Sequence, residues 1–144
     1  MYAQLNKLSK KSPEMKRMQQ VEGVGPAVAA SFYSAIDDPD RFKSGEQVSS
    51  YLGLVPSVHQ SGETLYHGRI TKHGDGYTRW LLVEAAHIIL SRSKADTPLR
   101  RWGLQLQQKK GAGKARVAVA RKLAGILWRI WRDDIDYHPE LAAA

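Results

Sequence analysis

Two glycines separated by one residue, in an otherwise apolar run, restrict what the start of this chain can form. The stretch is Val21-Glu22-Gly23-Val24-Gly25-Pro26-Ala27-Val28-Ala29-Ala30. Glycine tolerates positive φ and close backbone approach. Proline suits the first turn of a helix, where its missing N–H costs nothing. The run therefore predicts the turn of a helix-hairpin-helix: one helix ends near Gln20 and the next begins at Pro26. The amides of Gly23, Val24 and Gly25 are candidates to hold a phosphate, because backbone N–H groups at a helix start point outward and carry partial positive charge. A plain tight turn between two packed helices would leave the same pattern.

Charge gives the turn a context. The 144 residues carry a net +8, an excess that points to a polyanionic partner, most often nucleic acid. Residues 1–65 hold seven Lys and Arg against seven acids, so residues 66–144 carry the whole excess. From 66 to 132 the only acids are Asp75, Glu84 and Asp96. Cysteine is absent, which excludes disulfides and thiolate metal sites. No apolar run reaches transmembrane length and no signal peptide is visible, so no membrane partner is expected.

The remaining pattern is mainly helical. Ser12 as N-cap with Pro13 behind it predicts a helix restarting there and running into the glycine turn. A second helix is expected over 26–36, stopped by Asp37-Asp38-Pro39. Ser44 with Gln47 three residues on has capping-box spacing, and Gly53 with Pro56 closes that short helix. Residues 57–75 lose the helical period and carry Gly62, Gly68 and Gly74, which predicts an ordered Gly-rich loop or short hairpin. A helix over 76–92, with Tyr77, Leu81, Ala85 and Ile88 on one face and Leu82, Ala86 and Ile89 beside it, is expected to be the central buried one. A shorter helix over 99–109, a turn at Gly111-Ala112-Gly113, a basic helix over 114–133 and a frayed tail after Tyr137 complete the reading. The fold class is mainly α: a helix-hairpin-helix followed by a small helical bundle. The divisions are a lead-in over 1–17, a main domain over 18–110, and a basic helix and tail over 111–144.

Chemistry is sparse. Gly113-Lys114 lacks the rest of a P-loop, since Gln108 and Ala115 occupy the positions that need Gly and Ser or Thr. The aspartate groups at 37, 38 and 40 and at 133, 134 and 136 sit at helix ends, where Asp serves caps and turns. His59, His67 and His73 lack ligand spacing, and no metal site is expected. Ser61 is the hydroxyl that stands out. It precedes Gly62, and Arg69, Lys72, His73 and Arg79 follow within the loop and the next helix start. A serine attacking a phosphodiester needs an exposed oxygen, a proton acceptor and positive charge over the phosphoryl oxygens. A phosphate-binding loop with no bond formed would look the same.

Several motifs in order carry a resemblance. They are Glu22-Gly23-Val24-Gly25-Pro26, Asp38-Pro39-Asp40-Arg41-Phe42-Lys43-Ser44, Tyr51-Leu52-Gly53-Leu54-Val55-Pro56, Ser61-Gly62, Gly68-Arg69-Ile70-Thr71-Lys72-His73-Gly74 and Arg79-Trp80-Leu81-Leu82-Val83-Glu84-Ala85-Ala86. Over residues 18–110 the chain resembles the C-terminal transposase domain of the 110 family of bacterial insertion sequences, recombinases guided by a bridge RNA. The resemblance implies a helical domain with a helix-hairpin-helix and a catalytic serine, which falls on Ser61. That serine would attack a DNA phosphate and form a transient phosphoserine link. DNA-binding roles would fall to Gly23, Val24, Gly25, Gly62, Arg69, Lys72, His73 and Arg79. The family also implies a structured guide RNA and an RNase-H-like acidic domain that holds magnesium. This sequence shows no such acidic domain, so these residues are expected to bind DNA without recombining it unaided, with no cofactor of their own. A homo-oligomer and a bacterial cytoplasmic location fit the same resemblance. Two rivals remain: a non-catalytic helix-hairpin-helix module of a repair or replication accessory protein, and a helical protein–protein adaptor.

Overall fold

The longest element explains the architecture. Residues Ala112–Asp133 alternate alanine and larger apolar residues at spacings of three and four, with no proline and no acid before Asp133. Such a segment makes an uninterrupted helix of roughly 33 Å at 1.5 Å per residue. In the computed structural model, which describes residues 12–54 and 75–143, this helix is the hub of the core. Ala115, Val119, Ala120, Leu123, Ala124, Ile126, Leu127, Trp128 and Ile130 are all buried along it.

In chain order the helices are α1 (Pro13–Met18), α2 (Pro26–Ile36), α3 (Gly45–Tyr51), α4 (Asp75–Ser91), α5 (Pro98–Lys110) and α6 (Ala112–Asp133). Short 3-10 turns cover Pro39–Arg41 and Pro139–Ala143. No strand occurs among the described residues, and the mainly α class holds. Helix α6 packs against α1, α3, α4, α5 and both 3-10 turns, while α2 packs on α4 and α1. The basic helix over 111–133 thus shares one core with the elements of 18–110.

The caps follow the sequence closely. The Ser12 hydroxyl accepts the Met15 amide at 3.3 Å, and Pro13 opens α1. Helix α2 starts and stops at the expected residues. The Ser44 hydroxyl accepts the Gln47 amide at 3.2 Å, while the Gln47 side chain accepts from the Lys43 amide, one residue before the cap. At the other end of α3, Gly53 takes φ +78°. Its amide donates to the Ser50 carbonyl and that of Leu54 to the Ser49 carbonyl, a two-bond closure that needs a left-handed residue.

Three expectations are corrected. The helix over 75–91 is not the most buried one. Its core face runs through Thr78, Leu82, Ala85, Ala86 and Ile89, leaving Tyr77 at 55% exposure and Ile88 also at the surface. A broad apolar helix can place part of its apolar surface outside, and the sequence does not say which part. The turn between α5 and α6 is Gly111 alone, and Gly113 lies within α6. The tail is not frayed as far as Leu141, which is 6% exposed and packs with its 3-10 turn against α5. Nothing in the apolar period of the preceding helix announces that contact.

Candidate nucleic-acid interface

The glycine turn is built as residues 19–25 between α1 and α2. The Gln20 amide donates to the Arg17 carbonyl, Val21 to Met18 and Val24 to Val21, each at 3.1 Å. Val21 and Val24 are buried and anchor the turn to the core. Gly23 has φ +81°, and a Cβ there would lie 2.8 Å from the Ala85 carbonyl oxygen of α4. This glycine is therefore required by helix packing, whatever else the turn does. Gly25 is the N-cap of α2 in extended conformation, with open space where a Cβ would be.

Of the three amides singled out from sequence, Val24's points inward and is used in the turn. The amides of Gly23, Gly25, Ala27 and Val28 have no hydrogen-bond partner among the described residues, and α2 has no side-chain cap. That is the arrangement an anion uses at a helix start. The surroundings, however, are acidic. Arg17 is ion-paired with Asp134, the Gln20 side chain donates to Asp136 at 3.2 Å, and the Ser93 hydroxyl donates to the Glu22 carboxylate. The Tyr137 amide donates to Gln20 at 2.8 Å, so the tail closes over this side of the turn. Burial, and then the nearby Glu22 charge, push the Tyr137 phenol above its ordinary pKa.

Arg79 stands elsewhere. The Thr78 hydroxyl, 3% exposed, lies 2.7 Å from that of Ser31 and pins the start of α4 to the middle of α2. Gly23 meets Ala85, seven residues further along α4. The two helices therefore run antiparallel. At 1.5 Å per residue, the α2 start and Arg79 are separated by roughly 10 Å along α4. The structure does not gather them at one point. It does place Arg79, half-buried and without an ion pair among the described residues, beside an exposed aromatic pair. Tyr77 and Trp80 stack with ring centroids 6.2 Å apart, at 55% and 56% exposure. Sequence reasoning assigned Tyr77 to the core and gave Trp80 no role. Their three-residue offset from each other, away from Thr78 and Leu82, was the available signal. Ser61, Gly62, Arg69, Lys72 and His73 lie outside the described residues.

The carboxylate groups do other work. Asp38 accepts the Asp40 amide at 2.9 Å and caps a 3-10 turn. Arg132 donates to both Asp133 oxygens, at 2.7 and 3.1 Å, and this holds the Asp133 carboxyl below the usual Asp range. Among the described residues no three His, Asp or Glu converge. No helix among the described residues is long and apolar enough to cross a membrane.

Among the described residues the chain is helical, with a glycine turn, a half-buried arginine and two exposed aromatics on a net basic sequence, the features to look for in a nucleic-acid-binding surface. The comparisons make it particular. Residues 15–100 match the Transposase IS116/IS110/IS902 family, and the chain belongs to that family. It is 36% identical to a probable family 20 transposase of Pseudomonas aeruginosa over 126 residues, 87% of this chain and 37% of that protein. It is 33% identical to the transposase for insertion sequence element IS1111A of Coxiella burnetii over 128 residues, 88% of this chain and 35% of the relative. The insertion element IS110 uncharacterized 43.6 kDa protein of Streptomyces coelicolor matches over 141 residues at 23% identity, 98% of this chain and 34% of that protein. The chain thus spans about a third of the length of these relatives. No solved structure matches.

Proposed function

We propose that this chain is the strand-transfer domain of an insertion-sequence transposase and that Ser61 is its nucleophile. The observation that carries the reading is the family match over 15–100, which spans Ser61-Gly62 and the basic residues that follow. The Ser61 hydroxyl oxygen bonds a DNA phosphorus, and one bridging P–O bond to a deoxyribose breaks. The departing sugar oxygen takes up the proton that the serine releases. Attack by a second sugar hydroxyl on the phosphoserine then reverses these steps on a new partner strand. Arg69, Lys72, His73 and Arg79 offset charge on the phosphoryl oxygens, with Arg suited to two-point contact. Gly62 lets the backbone pass close to the strand.

The turn supplies a second phosphate contact through the amides of Gly23 and Gly25 and the start of α2. With Arg79 roughly 10 Å away, the two contacts fall on different phosphates of one backbone, positioning the DNA without reading bases. A structured guide RNA, a second copy of the chain and an RNase-H-like acidic domain that supplies magnesium complete the reaction. Magnesium held by that acidic domain would supply Lewis-acid offset of phosphoryl charge, while Ser61, Arg69, Lys72, His73 and Arg79 keep the roles given above.

The test is Ser61→Ala in a full-length transposase carrying this domain, with covalent DNA adducts trapped on denaturing gels. Adducts are expected to vanish while DNA binding persists. Unchanged recombination would remove Ser61 from the chemistry and leave a domain that only holds DNA.

A further inference from the structure

The strongest charge on this molecule is not at the turn or at Arg79. Between residues 98 and 133, helices α5 and α6 carry ten Lys and Arg and one acid, Asp133. That hairpin exceeds the net +8 of the entire chain. Part of this charge borders a half-open groove of about 640 Å³ between the start of α3, α5 and α6. Gly45 of α3 meets Gly125 of α6 there, with a Cβ on Gly45 only 3.2 Å from the Gly125 Cα. The close crossing of two glycines leaves the longer side chains on either side to form the walls.

Among the described residues, three cations line the groove, Arg121, Lys122 and Arg129, against a single carboxylate, Glu46. Lys122 is held with its ammonium 4.3 Å from the Trp102 ring centroid, which fixes the charge at the wall and covers that ring face. The Nε of Arg121 is shielded from solvent and has no hydrogen-bond partner among the described residues. Neither Arg121 nor Arg129 forms an ion pair among them. Cations gathered in a concave wall with one opposing acid focus a positive potential into the groove.

We propose that this groove is a phosphate clamp for duplex DNA, a contact separate from the Ser61 loop and from the glycine turn. The inference rests on the reading of this chain as a DNA-acting transposase domain. Charge complementarity selects the occupant. Covering Trp102 with Lys122 removes the aromatic face on which an unpaired base would stack. What remains are the guanidinium groups of Arg121 and Arg129, which suit backbone phosphates and give no preference for sequence.

The experiment measures binding of the 144-residue chain to a 20-base-pair duplex of arbitrary sequence by fluorescence anisotropy across a salt series. The wild type is expected to bind with a steep negative slope of log affinity against log salt. Each phosphate contact contributes about −0.9 to that slope. Arg121→Gln with Arg129→Gln should flatten it by about 1.8 and lower affinity at 0.1 M salt by roughly tenfold or more. Glu46→Gln should tighten binding severalfold, a gain that a misfolded variant could not mimic. Arg79→Gln is the reference change outside the groove. If the double variant and Glu46→Gln both bind as wild type while Arg79→Gln weakens binding, the groove is overturned and the transposase reading stands. If the wild type shows no salt-sensitive duplex binding, both readings fall. Groove variants that lose affinity for single-stranded RNA but keep it for the duplex also overturn the clamp.

Discussion

The glycine turn and the groove between α3, α5 and α6 each contain a close glycine contact, yet their electrostatics are opposite. The turn offers unpaired amides but is bordered by Glu22, Asp134 and Asp136. The groove is lined by Arg121, Lys122 and Arg129, with Glu46 the one acid among its described lining residues. A motif that names a phosphate site from its backbone alone is therefore an incomplete description. Charges brought in from a distant part of the chain decide how strongly such a turn attracts an anion, and here the C-terminal tail contributes two of the three acids. The comparison also separates two uses of glycine. At Gly23 it prevents a clash with a carbonyl oxygen, whereas a Cβ at Gly125 would meet Gly45 at an ordinary contact distance.

That last difference gives the largest expected effect. Gly23→Ala adds a Cβ 2.8 Å from the Ala85 oxygen at φ +81°. It should destabilise the fold by about 3 kcal/mol, combining left-handed strain with overpacking. Chemical denaturation checks it, and a loss below about 0.5 kcal/mol would show that the helices separate easily at the turn. Gly125→Ala should act in the opposite direction. Its Cβ would sit 3.6 Å from the Gly45 Cα, an ordinary contact, within the regular helix α6. A gain of up to about 1 kcal/mol is expected from helix propensity alone. A clear loss in the same denaturation experiment would mean that the crossing is tighter than its geometry.

A smaller effect tests the acidic border of the turn. Asp136→Asn removes the carboxylate that accepts from the Gln20 side chain of the turn and should tighten duplex binding about twofold at low salt, shrinking as salt rises. Identical affinity in the same anisotropy series would take the turn out of the interface while leaving the groove untouched. The smallest concerns pH. The hydrogen bonds from Arg132 hold the Asp133 carboxyl below its unfolded value. Its contribution to stability is therefore present at neutral pH, full above the unfolded value of about 3.9, and lost as pH falls through the folded one. With roughly a third of each side chain exposed, the effect is small. The melting difference between wild type and Asp133→Asn should shrink from pH 7 to pH 3, and a constant difference would assign the pair no role.

Much of the local structure was legible because it depends on neighbours in sequence. Ser12, Pro13, Pro26, Ser44 and Gly53 each act within one helical turn, and each serves as its residue type suggests. The candidate site was less legible. Tyr77 and Leu81 share an apolar character, but one is exposed and the other buried, because α2 and α6 cover only part of α4. In the sequence Arg121, Lys122 and Arg129 are only part of a basic helix, and packing against α3 and α5 makes them line a groove. Trp128 is a core residue whose indole donates to the Pro39 carbonyl at 2.8 Å, while Trp131 stacks on Tyr33 with centroids 4.5 Å apart. Neither fate is written in the helical period.

Sequence alone determined the helix starts and stops, the basic balance of the second half and the family, since these are properties of residue types and their order. The tertiary structure decided which helix became the hub, that Gly23 is held by the Ala85 carbonyl, and that acids collect at the turn while cations collect in the groove. The physical reason is distance: capping acts across a few residues, whereas burial and electrostatic potential are set by side chains that only folding brings together.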